Sequence, residues 1–278
     1  MATCPMQRLA IHSVVIALML WSVGAQAAPK KRASPLRRLY VRGVFAAYVE
    51  PRITAHDLRL APSPIARTAV GAGAIEDAGV RVNASTSPTA IIGYVVPRMR
   101  WGFSIEMIIA PPSKLEIEAT GRLANESIAP EAVGVATGIP PLGRYLAEAT
   151  MTAPIVSAIV RPLHFNRFVV FAGVGVSVLF VYDERVTNAV LNEVGSPKLA
   201  VTNPIGAVVQ AGIEGRIWGR WKLRIDGKYV AYRESHARID GIEVKTQIPS
   251  LPTVDVGSAR IDVAVRPIII QCGIGADF

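Results

Sequence analysis

The sequence predicts an all-β fold, an eight-stranded antiparallel up-and-down transmembrane β-barrel that follows a cleaved signal peptide. Three observations support this prediction. Eight segments alternate apolar and polar residues with a period of two, which is the period of a β-strand. The connections between these segments are alternately long and short. The last segment ends the sequence at an aromatic residue, Phe278.

Residues 1–27 have the pattern of a signal peptide. Arg8 supplies a positive start, the stretch from Leu9 to Trp21 is almost wholly apolar, and Ala25-Gln26-Ala27 places small residues where signal peptidase cuts. The apolar stretch is shorter than the roughly 18 to 20 residues that a membrane-spanning helix needs. No later apolar stretch is long enough either. We therefore predict an exported chain that crosses a membrane, if at all, with strands.

The mature chain is basic and has a single cysteine, Cys272, so an intramolecular disulfide is excluded. The net charge is +9, and basic residues are concentrated at 28–38. Export argues against nucleic acid as the partner of this tail, and no aromatic residues are interleaved with its charges. The predicted organisation is a signal peptide at 1–27, a solvated basic tail at 28–38 and a barrel at 39–278.

Charged residues in the predicted strands are confined to one face. The clearest case is the seventh segment, where Lys222, Arg224, Asp226 and Lys228 alternate with apolar residues. A helix would scatter these four charges around its circumference. The eight predicted strands are 39–50, 89–96, 101–110, 149–160, 168–180, 205–214, 221–232 and 261–278.

The connections between the predicted strands separate into two kinds. Residues 97–100, 161–167 and 215–220 are short connections, whereas 51–88, 111–148, 181–204 and 233–260 are long, and a short helix fits at 141–149. Outer-membrane barrels have tight periplasmic turns and long extracellular loops. The pattern therefore predicts a location in the cell outer membrane with both termini periplasmic.

The last predicted strand contains a conflict of register. A single uninterrupted alternation from Arg260 would turn Ile270 into the barrel and leave Gln271 on lipid. A bulge or kink at Arg266-Pro267 would reverse the alternation and place Ile270 and Phe278 outside. We favour the reversed register.

The alternation assigns candidate residues to the two faces of the barrel wall. An eight-stranded barrel is barely wider inside than its own side chains, so an open aqueous pore is not expected. Opposite charges that face one another across the lumen favour a structural role over ion selectivity. The candidate lumen residues are Tyr40, Arg42, Glu106, Lys222, Arg224, Asp226 and Lys228. The candidate lipid-facing aromatic residues are Trp101, Phe103, Trp221, Tyr229 and Phe278.

The sequence does not indicate an enzyme. Ser235 and His236 are adjacent, and adjacent strand residues point to opposite faces, so they do not make a catalytic dyad there. No cluster has the spacing of metal ligands. The Gly173-Val-Gly175 motif is too short for a dinucleotide site. We expect no catalytic residues, no cofactor and no metal.

Several short motifs, spread over residues 39–278, carry a resemblance to a known family. They are Leu39-Tyr-Val-Arg-Gly, Val49-Glu-Pro51, Trp101-Gly-Phe-Ser-Ile-Glu, Ala110-Pro111-Pro112, Gly173-Val-Gly175, Ile261-Asp-Val-Ala-Val-Arg-Pro267 and Gly273-Ile-Gly275-Ala-Asp-Phe278. With these motifs the chain resembles the OmpW family of outer-membrane proteins. The resemblance implies a narrow, largely hydrophobic channel that passes small hydrophobic molecules, with sideways escape through the wall.

The expected partners follow from this placement. They are outer-membrane lipid and lipopolysaccharide, the barrel-assembly machinery acting through the C-terminal strand, and small hydrophobic ligands. Two alternatives stay open. One is a closed structural or adhesive barrel whose extracellular loops bind partners or protect the surface. The other is a secreted soluble barrel of lipocalin type, which turns its apolar face inward.

Overall fold

The structure is a computed structural model that describes residues 38–50, 53–63, 73–74, 78–82, 85–127, 131–132, 135–247 and 252–278. The predicted signal peptide and all of the predicted basic tail except Arg38 lie outside the described residues.

The described part of the chain is mostly β-strand. In chain order its strands are β1 (Leu39–Glu50), β2 (Ile53–Ala61), β3 (Gly73–Ala74), β4 (Ala78–Val82), β5 (Ser85–Thr86), β6 (Thr89–Val95), β7 (Ser104–Ile109), β8 (Ser113–Gly121), β9 (Glu131–Ala132), β10 (Val135–Ala136), β11 (Tyr145–Thr152), β12 (Ile155–Phe165), β13 (Phe168–Val178), β14 (Phe180–Val186), β15 (Lys198–Val201), β16 (Ile205–Trp218), β17 (Trp221–Tyr232), β18 (Ser235–Lys245), β19 (Thr253–Val265) and β20 (Ile268–Asp277). The helices described are α1 (Arg122–Asn125) and a 3-10 turn at Arg100–Gly102. No helix among the described residues is both long and apolar enough to cross a membrane.

Eight of these strands form a closed antiparallel barrel. Their order around the wall is β1, β6, β7, β12, β13, β16, β17 and β20, and β20 pairs again with β1. The predicted eight-stranded antiparallel barrel is confirmed.

The barrel wall has its charges inside and its apolar side chains outside. In β17 the side chains of Arg224, Asp226 and Lys228 are buried, whereas Ile225 and Tyr229, which alternate with them, are exposed. This alternation places every second residue on the same face. A lipocalin-type soluble barrel has the opposite polarity, which argues against that alternative.

The exposed apolar side chains form a continuous belt around the barrel. Members from different strands include Ile105, Val174, Val209, Ile225 and Ile270, each more than 40 % exposed. At the edge of the belt nearest the tight turns lie the aromatic side chains of Trp101, Phe165, Phe168 and Trp218. Soluble monomers rarely expose apolar patches of this extent, so the belt needs an apolar environment.

The two ends of the barrel differ. At one end the chain makes tight turns at 166–167 and 219–220, and the backbone N–H of Phe278 donates to the carbonyl of Leu39 at 3.0 Å. At the other end the strands continue beyond the barrel as two further sheets. One sheet contains β4, β8, β11 and β14, and the other contains β2, β3, β15, β18 and β19. We call these two sheets together the head.

The head corrects the prediction that 51–88, 111–148, 181–204 and 233–260 are long loops. Their described residues consist largely of strands that continue the pairing of the barrel, as β19 with β2 continues β20 with β1. The predicted short helix at 141–149 is wrong, because β11 occupies Tyr145–Thr152. Pairing with β8 and β14 holds that segment extended.

Strand boundaries also differ from the predicted ones, mainly at prolines and turns. The fourth predicted strand is divided at Pro154 and the eighth at Pro267, because proline has no N–H to donate to a ladder. The third begins at Ser104, since Trp101 lies in the 3-10 turn with a φ of 58°. Beyond the division at Pro267, Ile270 is exposed and Gln271 is buried, as in the reversed register.

Glycines on the inner face make room for large side chains. A Cβ at Gly93 would meet the Tyr40 ring, and one at Gly212 would lie 2.6 Å from Cζ of Phe171. At Gly175 the obstacles are the Val156 carbonyl and Ser157, whose Cα would be 2.9 Å away. The lumen is therefore filled by close packing of large side chains against bare backbone.

We predict that Gly175→Ala destabilises the barrel by about 1 to 3 kcal/mol, because backbone atoms of the neighbouring strand must move. Gly227→Ala is the matched control, since a Cβ at this strand glycine meets nothing within 4 Å. The measurement is urea unfolding in detergent micelles. Equal midpoints for the two variants would contradict the packing described here.

Candidate functional site

The lumen contains three layers along the barrel axis. Nearest the tight turns is a network of polar side chains, which we call the polar plug. Next is a cluster of apolar side chains, the apolar cluster. Beyond it, between the two sheets of the head, lies a cavity that we call the head cavity. The polar plug consists of Tyr40, Arg42, Ser104, Glu106, Arg161, Glu214, Lys222, Arg224, Asp226, Lys228, Gln271 and Asp277.

Glu106 is the centre of the polar plug. Both of its carboxylate oxygens accept hydrogen bonds from Arg224, at 2.7 and 3.0 Å, and one also accepts from the Tyr40 hydroxyl at 2.5 Å. The Arg161 guanidinium approaches the same carboxylate at 3.8 Å and donates to Tyr40 and Ser104. Glu106 is fully buried. Its charge is therefore compensated by a bidentate pair, the strongest common form of salt bridge.

A second branch of the plug runs along β17. Arg224 donates to Asp226 at 2.8 Å, and Asp226 in turn accepts from the Lys228 ammonium. Lys228 also donates to the side-chain oxygen of Gln271 on β20. The other face of the Arg224 guanidinium lies over the Phe171 ring, 4.1 Å from its centre. These contacts connect the first branch to the opposite wall of the barrel.

Asp277 closes the plug at the turn end. It accepts from Arg42 at 2.6 Å and pairs with Lys222 at 2.6 Å. Arg42 also lies 3.6 Å from Glu214, which Arg161 and Arg224 approach at 3.9 and 3.6 Å. The plug thus spans the lumen from wall to wall.

Counting formal charges, the plug has five cations against four anions. The cations are Arg42, Arg161, Lys222, Arg224 and Lys228, and the anions are Glu106, Glu214, Asp226 and Asp277. Among the described residues, neither carboxylate oxygen of Glu214 is close enough to a donor for a hydrogen bond, although three arginines surround it. A site of this polarity suits an ordered water molecule.

The seven candidate lumen residues all lie in the polar plug. Six of them have side chains buried almost completely, whereas Lys222 is partly exposed at the turn end. The sequence reasoning missed Arg161, Glu214, Gln271 and Asp277 as partners. Arg161 was assigned to a turn, but β12 continues to Phe165 and brings it into the lumen. The period of two, extended through β16 to Glu214, would have found that carboxylate.

The five candidate lipid-facing aromatic residues differ in how far their side chains are exposed. Trp101 and Tyr229 are exposed on the outer surface, at 65 % and 39 %. Phe103, Trp221 and Phe278 are half-buried. The Phe278 ring is covered in part by the Arg220 guanidinium, 5.8 Å from its centre.

The apolar cluster lies above the plug and fills the middle of the barrel. Its buried members are Val44, Ile91, Ile108, Ile155, Val208, Val230 and Tyr232. Leu179 and Val265 pack against this cluster and also line the head cavity. The apolar cluster is therefore the floor of the cavity.

The head cavity has a volume of about 170 Å³ and an almost purely apolar lining. Side chains from both head sheets contribute, among them Leu115, Met151, Ile239 and Val256. Ser235 also lines it, but its hydroxyl donates to the Thr202 carbonyl at 2.8 Å. The cavity can hold an apolar molecule and offers no charged group to a polar one.

The barrel wall is interrupted beside the cavity, where β7 passes into β8 and β11 passes into β12. The ladder between them stops at the pair Ile108–Ile155 and resumes at Ser113–Met151. Between these pairs lie Pro111, Pro112 and Pro154, which have no N–H to donate. We call this interruption the proline break. Between these pairs the two neighbouring strands lack ladder pairing and are joined by a hydrogen bond from the Thr152 hydroxyl to the Ala110 carbonyl at 3.1 Å.

A chain of hydroxyl groups holds one side of the proline break. Ser177 donates to the Pro154 carbonyl at 3.0 Å, and the Tyr232 and Ser177 hydroxyl oxygens are 2.8 Å apart. Because the single Ser177 proton is used on Pro154, Tyr232 is the donor to Ser177. The Tyr232 ring lies over Gly206, where a Cβ would be 2.7 Å from it. Tyr232 thus links β17 through Ser177 to the proline break, and we call this pair of hydrogen bonds the strap.

The head holds no catalytic arrangement of Ser235 and His236. Ser235 faces the head cavity, whereas His236 is on the outer face of β18 and contacts Asp262 at 2.6 Å. In the described part of the chain, no three His, Cys, Asp or Glu side chains are grouped to hold a metal ion.

Comparison with known proteins finds solved structures that share this architecture. No protein-family model and no curated protein matches the chain. Among solved structures, the outer membrane protein OprG from Pseudomonas aeruginosa superimposes with a TM-score of 0.64 over 86 % of this chain and 95 % of OprG, at 17 % identity. The chain has the fold of OprG.

Two further solved structures share a weaker likeness with this OprG-like barrel. The outer membrane protein AlkL, studied in DMPC lipid bilayers, has a TM-score of 0.49 and 18 % identity over 91 % of this chain and 96 % of AlkL. Outer Membrane Protein W of E. coli has a TM-score of 0.42 and 14 % identity, over 87 % and 97 % of the two chains. These comparisons establish the fold, which rests on OprG.

We predict that Glu106→Gln lowers the free energy of unfolding by about 3 to 5 kcal/mol, because the buried Arg224 would lose the carboxylate that binds it through two hydrogen bonds. Glu126→Gln is the control, since Glu126 forms an exposed salt bridge with Arg122 at 2.7 Å and should change stability little. Urea unfolding in micelles measures both. A Glu106→Gln midpoint like that of Glu126→Gln would show that the plug does not depend on this pair.

Proposed function

We propose that this OprG-like barrel lies in the outer membrane and passes small apolar molecules from the head cavity into the membrane through the proline break. The observation that carries the proposal is the contrast within the lumen. An apolar cavity of about 170 Å³ lies at one end and a closed polar plug at the other.

The membrane placement rests on the exposed apolar belt and on the strand lengths. Barrel strands of 10 to 14 residues, such as β1, β16 and β20, are long enough to cross a bilayer when tilted. The tight turns lie on the same side of the barrel as Leu39 at the start of β1 and Phe278 after β20, and we assign this side to the periplasm. The terminal strand β20 is then the segment that the barrel-assembly machinery recognises. The head lies outside the cell.

The head cavity selects for apolarity. An apolar cavity of about 150 Å³ in another protein stays dry and binds benzene, so this one has room for a small hydrocarbon. A hydroxyl or carboxylate placed inside would lose its hydrogen bonds to water without replacement. We therefore propose that the transported molecules are small and lack strong hydrogen-bonding groups.

The polar plug determines where such a molecule leaves. Below the apolar cluster it would meet buried ion pairs centred on Glu106 and Arg224, which offer it no apolar surface and would have to separate. The proline break lies beside the cavity at the level of the lipid-facing belt, next to the cavity residues Leu115 and Met151. Exit through the wall into lipid avoids the plug.

The closed plug also favours a second candidate function, a sealed barrel whose head binds partners or protects the surface. Both candidates are non-enzymatic, and an uptake measurement separates them. The purified protein is reconstituted in liposomes that contain a fluorescent reporter for a small aromatic hydrocarbon. We expect faster entry than in empty liposomes, and equal rates would exclude the transport function.

We predict that Ala237→Phe slows this uptake toward the rate of empty liposomes, because the larger side chain fills part of the head cavity. Ala172→Phe is the control, since Ala172 is exposed on the outer surface of β13. Both variants should migrate as folded barrels on unboiled gels. Undiminished uptake by Ala237→Phe would place the path outside the cavity.

We predict that Tyr232→Phe raises the uptake rate about fivefold, because removal of one buried hydrogen bond of about 1 kcal/mol lets the proline break open more often. Tyr229→Phe is the control on the same strand, with its ring exposed on the outer surface. Amide hydrogen exchange at Ile155 should accelerate in the first variant alone. Unchanged exchange there would show that the strap does not hold the break.

A further inference from the structure

The outer face of one head sheet carries three arginines side by side. Arg238 on β18 is directly opposite Arg260 on β19, and Arg260 is directly opposite Arg59 on β2. Directly opposite residues in antiparallel strands have Cβ atoms about 5 Å apart, and like charges in such positions destabilise a sheet. The row is therefore an arrangement that the fold alone does not favour.

All three side chains point away from the head cavity. Their strand neighbours Leu60, Ala259 and Ile239 line the cavity, so the arginines lie on the opposite, outer face. Arg59, Arg238 and Arg260 are exposed, the last two with 60 % and 57 % of their side chains accessible.

The row continues toward the membrane belt. Arg233, just after β17, and Arg266, just before β20, are both exposed between the row and the belt residues Tyr229 and Ile270. We call Arg59, Arg233, Arg238, Arg260 and Arg266 the arginine strip. It ends farther out, where Glu243 is opposite Asp255.

Carboxylates compensate the strip only in part. Arg238 contacts Asp240 at 2.7 Å, and Arg260 lies 3.5 Å from Asp262. A hydrogen bond from His236 holds the pKa of Asp262 below its usual range, so this carboxylate stays ionised. Among the described residues, Arg233 and Arg266 have no carboxylate within salt-bridge distance. A positive excess therefore remains beside the belt.

The other head sheet has a different charge pattern in the corresponding position. Its outer row contains Glu116, Glu148 and Arg185, which are directly opposite one another on β8, β11 and β14. All three are exposed. Two of its three members are carboxylates, whereas the corresponding row on β18, β19 and β2 consists of arginines, at the level where anionic lipid headgroups meet a protein of this orientation.

We propose that the arginine strip binds the phosphate groups of lipopolysaccharide in the outer leaflet. Arginine guanidinium groups bind phosphate through two parallel hydrogen bonds, and a row about 10 Å wide reaches both phosphates of one glycolipid headgroup. The acyl chains of the same lipid would pack on the apolar belt below. This inference rests on the membrane placement in the proposed function, but not on transport.

The test uses the full-length mature protein in dodecyl maltoside, titrated with deep-rough lipopolysaccharide and followed by native mass spectrometry. Replacement of Arg59, Arg238 and Arg260 together by Gln should weaken binding about tenfold. The reason is the loss of three exposed ion pairs with lipid phosphates, each of about 0.5 kcal/mol. The matched control replaces Arg81, Lys114 and Arg185 by Gln, which removes the same charge from the other sheet. It should bind as the unmodified protein does.

Three outcomes would overturn the proposal. An equal loss of lipopolysaccharide binding in the two triple variants would mean that the overall charge of the protein determines the affinity. Equal binding of dephosphorylated lipopolysaccharide would mean that sugars or acyl chains are recognised. Displacement of the lipid by millimolar inorganic phosphate would mean that the strip is a site for free anions. If the protein proves absent from outer-membrane fractions, the proposed placement fails, whereas the binding measurement still reports on the strip.

Discussion

The pairing of Glu106 with Arg224 is the interaction on which the interior depends. A carboxylate with no exposed surface is stable only if its charge is compensated, and here a bidentate guanidinium and a tyrosine hydroxyl do so. Arg224 in turn fixes Asp226, and through it Lys228 and Gln271. Four strands are thereby joined across the lumen by side chains, in addition to the backbone ladder around the wall.

The packing of the plug explains why glycine is so frequent on the inner face. Large polar side chains fit in a barrel of eight strands only where the facing wall has no side chain of its own. Tyr40 lies against Gly93, and Asp226 and Phe171 lie against Gly212. Glycines and large residues are therefore matched in pairs, and a change in either one affects the other.

Much of the barrel could be predicted from the sequence because its faces differ in polarity. Arg224, Asp226 and Lys228 alternate with apolar residues, which fixes both the strand and its inner face. The head could not be predicted in the same way. Its longest strands contain glycines and irregular pairing, as at Gly241 in β18 and Gly257 in β19, and the pairing of others, such as β8 with β11, depends on contacts between distant segments. The partnership of Arg161 with Glu106 is likewise a contact between two strands, β12 and β7, whose pairing no spacing encodes.

The opposite polarity of the two halves of the lumen gives a direction to any apolar molecule that enters. Its free energy falls when it leaves water for the head cavity, and it falls again or stays level on passing into lipid. It would rise on entering the plug, where ion pairs must be separated and no apolar surface is gained. In the proposed transport function, a barrel closed at one end by Glu106 and Arg224 and without backbone pairing in its wall at Pro111, Pro112 and Pro154 would favour sideways exit. In that proposal, the bonds from Tyr232 through Ser177 to Pro154 would set how often the wall opens, because they hold the strand that must separate.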